Sequence, residues 1–144
     1  MGDIKILARI ELGALSKESL DTFLRDERAG AICVFAGTAR RWTGPRETER
    51  LEYDAYEEMA ERVLGELAEQ AVGRWDLLKA GILHRIGHVP LGEASVLVGA
   101  AARHRAEAFE ACRWMIDTLK AEAPIWKREV YADGGSEWVG GAGA

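Results

Sequence analysis

Hydrophobic and polar positions follow two different periods along the chain. Apolar residues at every second position, or in short unbroken runs, predict strands, and apolar residues three or four positions apart predict amphipathic helices. The predicted strands are 4–10, 31–36, 51–55, 77–86, 95–102 and 125–131, and the predicted helices are 16–28, 56–74 and 103–120. Residues 137–139 are a further candidate for a short return strand after these elements. Between them, residues 42–48 are expected to form an exposed loop, and glycine-rich turns are expected near 90–93 and 132–135.

The resulting order of elements, β-α-β-β-α-β-β-α-β, predicts an α+β fold in which helices pack on a mixed sheet. The length of 144 residues fits one domain, 1–144, and the glycine- and alanine-rich end, 139–144, is expected to be a flexible tail.

Composition and charge narrow the classes of function. The net charge of −5 argues against a nucleic-acid-binding surface, and no apolar run approaches the length of a membrane span, so the expected compartment is the cytoplasm. Cys33 and Cys112 lie in apolar stretches and are expected to be buried, reduced thiols. His84, His88 and His104 lack the spacing of a zinc site, so no metal is expected.

Two basic clusters lie where strands end. Arg40 and Arg41 follow a predicted buried strand, and His104 and Arg105 begin a predicted helix. Free N–H groups at a helix start favour an anion, and His and Arg side chains add hydrogen-bond donors. The alternative for both clusters is ordinary solvated surface charge, with His104 serving only as a helix cap.

A third cluster surrounds Pro124, where the last helix gives way to a strand. Lys120 lies at the end of the helix, and Lys127 and Glu129 are expected on one face of the strand, with Arg128 on the other. Two ammonium groups that share one small volume can bind an anion, or one of them can act as an amine that transfers protons. Taken alone, this segment also fits an exposed run of charges.

Helix length separates the second cluster from the third. Arg105 and Lys120 are fifteen residues apart on one predicted helix, a distance of roughly 22 Å. Either the two helix ends serve different sites, or a two-fold dimer brings the start of one helix to the end of its partner.

Several segments together resemble the catalytic (large) subunit family of molybdopterin synthase. They occur in the same order and at nearly the same spacing, and the resemblance runs from about residue 30 to residue 139. The segments are HRIG at 84–87, GE at 92–93, HRAEAF at 104–109, DTLK at 117–120 and PIWKRE at 124–129.

The resemblance implies an α/β hammerhead-like fold with a mainly antiparallel sheet, and a homodimer within a heterotetramer. It implies a small ubiquitin-like carrier partner whose C-terminal Gly-Gly bears a thiocarboxylate. The implied enzyme is a sulfurtransferase without a cofactor, which moves sulfur onto cyclic pyranopterin monophosphate and forms the molybdopterin dithiolene of the molybdenum cofactor. The implied catalytic residues are Lys120 and Lys127. The implied substrate-binding residues are Thr38, Ala39, Arg40, His104, Arg105, Lys120, Lys127, Arg128 and Glu129.

Two other classes of function remain alternatives. The chain could be a non-catalytic module that docks a ubiquitin-like partner through an apolar and basic groove. It could also be a small anion- or RNA-binding domain, which the acidic net charge disfavours.

Overall fold

A computed structural model of the chain describes residues 4–139 and shows three helices packed on an eight-stranded sheet. The strands are β1 (Ile6–Leu12), β2 (Ala31–Thr38), β3 (Trp42–Thr43), β4 (Arg46–Ala55), β5 (Lys79–Pro90), β6 (Ala94–Ala102), β7 (Ile125–Tyr131) and β8 (Ser136–Val139). The helices are α1 (Lys17–Leu24), α2 (Glu57–Trp75) and α3 (Arg105–Glu122). None of these helices is long and apolar enough to cross a membrane.

The sheet is mixed but mainly antiparallel, as predicted. Its main path runs β2-β6-β5-β4-β7-β8, and the parallel pair is β1 with β5. The long strand β5 changes partners along its length, from β1 and β6 in its first part to β4 after Gly87. Gly87 has a φ of +86°, a backbone conformation that other residues rarely adopt, so glycine is needed where the strand changes partner.

Helices cover both faces of the sheet because the central strands bury side chains on both sides. Along β6, Val96 and Val98 pack towards α2 and α3, whereas Leu97 and Ala101 pack against Leu20 of α1 and its neighbours. This arrangement confirms the predicted α+β class and leaves the C-terminal end of α3 beside the ends of several strands.

The expected loop at 42–48 is wrong, because these residues form a β-hairpin. Thr43 pairs with Arg46 across the two-residue turn at Gly44, whose φ is +59°. The first half of β4 is rich in charged residues and therefore lacks the apolar alternation that predicts a strand. Pairing with β7, from Thr48 opposite Tyr131 to Ala55 opposite Ile125, holds this part of β4 extended.

Other element boundaries also differ from prediction, most clearly at α1, β5 and the C-terminal end. Helix α1 begins after Ser16, whose side chain accepts a hydrogen bond from Ser19 N–H, but it ends at Leu24 rather than near residue 28. There Arg25 is extended, and the Asp26 side chain accepts from Arg28 N–H in a tight turn. Strand β5 continues to Pro90. The flexible tail was expected to begin at residue 139, but Val139 belongs to β8. Residues 140–144 lie outside the described residues.

Candidate functional site

A cavity of about 360 Å³ lies where the C-terminal end of α3 meets β2, β4, β5, β6 and β7. This volume is within the range of small-molecule sites. Its lining residues are Phe35, Ala36, Gly37, Thr38, Arg40, Leu51, Tyr53, His84, Ser95, Val96, Ile116, Leu119, Lys120, Lys127 and Glu129. The cavity thus contains five residues named from the sequence, which are Thr38, Arg40, Lys120, Lys127 and Glu129.

The junction between α3 and β7 places both lysines at this cavity. Helix α3 ends at Glu122, where Ala123 N–H donates to the Leu119 carbonyl, and β7 begins three residues later. Buried Leu119 and Ile125 anchor the two sides of the junction. Since Lys127 and Glu129 line the cavity and Arg128 does not, the predicted alternation of faces along β7 is confirmed.

The end of β2 brings Thr38 and Arg40 to the same cavity. Between these two residues, Ala39 is fixed by hydrogen bonds: its N–H donates to the Glu93 carbonyl, and its carbonyl accepts from Gly92 N–H. Ala39 is itself buried in a small apolar cluster and does not line the cavity. Ala39 therefore fixes the backbone between Thr38 and Arg40, which both line the cavity.

The cations of the cavity differ from most arginines of the chain in having no carboxylate partner. Arg41 pairs with Glu47 at 3.0 Å, and Arg128 pairs with Glu52 at 3.0 Å. Within residues 4–139, by contrast, Arg40, Lys120 and Lys127 form no ion pair. Three unpaired cations therefore converge on one concave site in a chain whose net charge is −5. Such a site attracts an anion.

Glu129 is the one carboxylate of this cavity and is held by two hydroxyl groups. Its side chain is 8 % exposed. Thr43 Oγ1 donates to Glu129 Oε1 at 3.0 Å, and Tyr131 Oη lies 2.9 Å from Glu129 Oε2. Tyr131 Oη also lies 2.8 Å from Glu137 Oε2. These two carboxylates raise the pKa of Tyr131, so the phenol stays protonated and acts as a donor. The fixed carboxylate lines the same cavity as the two lysines.

Replacing Tyr131 by phenylalanine is expected to lower the rate of the reaction at this cavity about tenfold, because the Glu129 carboxylate then loses one of the two hydrogen bonds that fix it. Steady-state kinetics check this. The matched control is Tyr56→Phe, since Tyr56 is an exposed tyrosine outside the cavity. Equal rates in Tyr131→Phe and the wild type would show that this hydrogen bond does not matter for Glu129.

His84 lines the cavity, although its sequence context favours a structural role. It is 4 % exposed and packs edge-on against Tyr53, with ring centroids 5.1 Å apart. Burial lowers the pKa of His84 to about 4, partly offset by its hydrogen bond to the Arg85 carbonyl. The signal available in the sequence was the position of His84, two residues after Ile82 and therefore on the same face of a predicted strand.

His104, Arg105 and Arg128 lie away from this cavity. His104 is the exposed N-cap residue of α3 and makes no side-chain capping bond, and Arg105 is the exposed first residue of the helix. Arg128 lies on the other face of β7, with its guanidinium 5.9 Å from the centre of the Trp138 ring. The structure therefore brings together the first and third basic clusters but not the second. The roles of these three residues in binding substrate stay predictions.

The two cysteines lie in a neighbouring groove rather than in the cavity. Both are free thiols; Cys112 is buried as expected, whereas Cys33 is only partly buried. Burial, together with the nearby Cys33 thiol, raises the pKa of Cys112 to about 12. A thiol with so high a pKa is a poor nucleophile at neutral pH.

Comparison with known proteins identifies the family. The sequence profile of the family described as MoaE protein matches residues 10–122, more than half of the chain. The molybdopterin synthase catalytic subunit of Bacillus subtilis (strain 168) is 39% identical over 126 residues, which cover 88% of this chain and 80% of that protein.

Solved structures agree with the sequence comparison. The crystal structure of molybdopterin synthase from Staphylococcus aureus matches with a TM-score of 0.88 at 35% identity, covering 92% of this chain and 96% of that chain. A chain in the complex of subunits 1 and 2 of molybdopterin-converting factor from Helicobacter pylori 26695 matches with a TM-score of 0.69 at 26% identity, covering 90% of this chain and 85% of that chain. By sequence and by fold, this chain belongs to the MoaE protein family.

Proposed function

We propose that this chain is the catalytic subunit of a molybdopterin synthase. In this role it transfers sulfur from the thiocarboxylate of a small carrier protein to cyclic pyranopterin monophosphate, as a sulfurtransferase. The observation that carries the proposal is the convergence on one cavity of about 360 Å³ of Arg40, Lys120 and Lys127, which form no ion pair with the residues that the structure describes. Family membership supports the same activity.

The charges of the cavity suit both reactants. The pterin substrate carries a cyclic phosphate, and the carrier ends in an anionic thiocarboxylate. Arg40 offers a planar set of donors suited to phosphate oxygens, and a lysine ammonium suits the single charged end of the carrier chain. Two like-charged reactants repel in water, so cations between them favour their encounter.

The two lysines also supply the protons that the reaction moves. Opening the cyclic phosphate and releasing the carrier as a carboxylate both shift protons near the reacting atoms. An amine within hydrogen-bond reach serves as general acid when charged and as general base when neutral. Glu129, held by Thr43 and Tyr131, is placed to orient a lysine ammonium in the same cavity.

Reconstitution tests the proposed function directly. The purified chain, mixed with thiocarboxylated carrier and cyclic pyranopterin monophosphate, is expected to form the dithiolene, detected by mass spectrometry of the pterin product. A carrier that ends in an ordinary carboxylate is the control. Carrier binding without any sulfur-containing product would favour the alternative, a docking module for a ubiquitin-like partner.

We further propose that the working site is shared between two copies of the chain. His104 and Arg105 lie at the start of α3, whereas Lys120 lies near its end, and helix length separates Arg105 from Lys120 by roughly 22 Å. A two-fold dimer that places the start of one α3 near the cavity of its partner would add two donors for the phosphate. The complex from Helicobacter pylori, which contains two different subunits, supports a carrier partner in a larger assembly.

Mixing two inactive variants tests the shared site. A heterodimer of an Arg105→Ala chain with a Lys120→Ala chain keeps one site with all of its residues, so it is expected to recover about half of the wild-type activity. The measurement is activity of the purified, doubly tagged heterodimer, with each variant homodimer as control. No recovery in a confirmed heterodimer would mean that each site lies within one chain.

A further inference from the structure

His84 is the one imidazole of the cavity lining, and its hydrogen bonding fixes which nitrogen bears the proton. Its Nδ1 lies 2.8 Å from the Arg85 carbonyl oxygen. A carbonyl oxygen only accepts hydrogen bonds, so Nδ1 carries the hydrogen and donates it. In the neutral ring the other nitrogen, Nε2, is then an acceptor with a free lone pair.

The ring is neutral near pH 7. Burial holds the pKa of His84 at about 4, so protonation of Nε2 is negligible near pH 7. The neighbouring Tyr53 ring and the tight packing of β5 keep the imidazole in one orientation.

Nε2 has no hydrogen-bond partner among residues 4–139 and yet is not sealed from solvent. The fully buried side-chain nitrogen and oxygen atoms that lack a partner in this part of the chain are Arg85 Nε and Arg128 Nε. His84 Nε2 is not one of them, although its ring makes only the bond through Nδ1. It therefore keeps accessible surface, and the open space that His84 lines is the cavity.

We infer that His84 is a substrate-binding residue whose Nε2 accepts a hydrogen bond from an N–H group of the bound pterin. This inference rests on the proposed function, because it takes the pterin as the ligand. The cavity then has two chemical sides. Arg40, Lys120 and Lys127 offer donors to the anionic groups, whereas His84 offers an acceptor to the N–H edge of the heterocycle. This division orients the pterin, with its phosphate towards the cations.

Two substitutions separate binding by Nε2 from a structural role of the ring. In His84→Asn the shorter amide can still donate to the Arg85 carbonyl, but it has no acceptor at the position of Nε2. In His84→Gln the longer amide oxygen reaches the position of Nε2 and restores an acceptor. The matched control is His88→Asn, because His88 is an exposed histidine four residues along the same strand and lies outside the cavity.

The experiment is calorimetric titration of each full-length variant with cyclic pyranopterin monophosphate and, separately, with inorganic phosphate. We expect His84→Asn to weaken pterin binding about tenfold, the value of one lost hydrogen bond in a dry site. His84→Gln is expected to recover most of that loss, and His88→Asn to bind as the wild type does. Phosphate alone contacts only the cations, so its affinity is expected to be equal in all four proteins.

The outcomes that overturn the inference differ from those that overturn the proposed function. Wild-type affinity for the pterin in His84→Asn would exclude the hydrogen bond. Equal losses of pterin and phosphate binding in both His84 variants would make the ring a structural element only. If the wild type binds phosphate but not the pterin, the proposed substrate is wrong, and the inference falls with it.

Discussion

Alanine at Lys120 or at Lys127 is expected to lower the rate of sulfur transfer by about 10²- to 10⁴-fold, the usual contribution of a general acid or base. Both lysines line the cavity and have no carboxylate partner among the described residues, so each is available to the reactants. The measurement is single-turnover formation of product with saturating carrier and pterin. Under these conditions a defect in binding alone does not lower the rate.

Arginine at the same positions separates charge from proton transfer. Lys120→Arg and Lys127→Arg keep a cation but cannot release a proton, so a lysine that acts as acid or base is not rescued by arginine. The matched control is Lys17→Ala, because Lys17 is exposed at the start of α1, on the opposite face of the sheet. If Lys120→Ala makes product at the wild-type rate, the lysine mechanism is wrong. The alternative, a non-catalytic docking module for a ubiquitin-like partner, is then favoured.

Between pH 7 and pH 4 the wild type is expected to lose about 3 kcal/mol more unfolding free energy than a His84→Gln variant. His84 has a pKa of about 4 in the folded chain, against an ordinary value near 6.5. Between pH 6.5 and pH 4, His84 is largely protonated in the unfolded chain and largely neutral in the folded chain, so falling pH favours unfolding. Well above pH 6.5 the ring is neutral in both the folded and the unfolded chain, and its contribution to the pH dependence disappears.

Urea unfolding at a series of pH values measures this difference. Glutamine does not titrate, so all other ionisable groups contribute equally to both curves and cancel in the comparison. His88→Gln is the control for replacing a histidine by glutamine at an exposed position of the same strand. Parallel curves for His84→Gln and the wild type would mean that His84 titrates alike in the folded and unfolded chains.

Local sequence patterns predicted the elements that carry the two lysines. Strand β7 has its predicted bounds, Ile125–Tyr131, because Pro124 marks its start and apolar or aromatic residues lie at both of its ends. Its alternation placed Lys127 and Glu129 on one face and Arg128 on the other. Such a local rule fixes which residues share a face, but it cannot say what that face packs against.

The contacts that complete the cavity depend on pairing between distant segments. Thr43 reaches Glu129 because β3 and β4 form a hairpin beside β7, and a two-residue strand with exposed residues leaves almost no pattern in the sequence. The glycine turn that follows His84 in the sequence favours a structural role for this residue. Its place in the cavity follows from the packing of β5 next to β4 and β6. That His104 and Arg105 contact the cavity of a second copy of the chain stays a prediction.

The most direct test of the proposed site is a crystal structure of the chain with bound cyclic pyranopterin monophosphate. We expect ligand density in the cavity of Lys120 and Lys127, with phosphate oxygens within hydrogen-bond distance of Arg40. We also expect His104 and Arg105 of a second copy of the chain to lie at this cavity. Density for the pterin elsewhere, such as the groove beside Cys33 and Phe109, would contradict it.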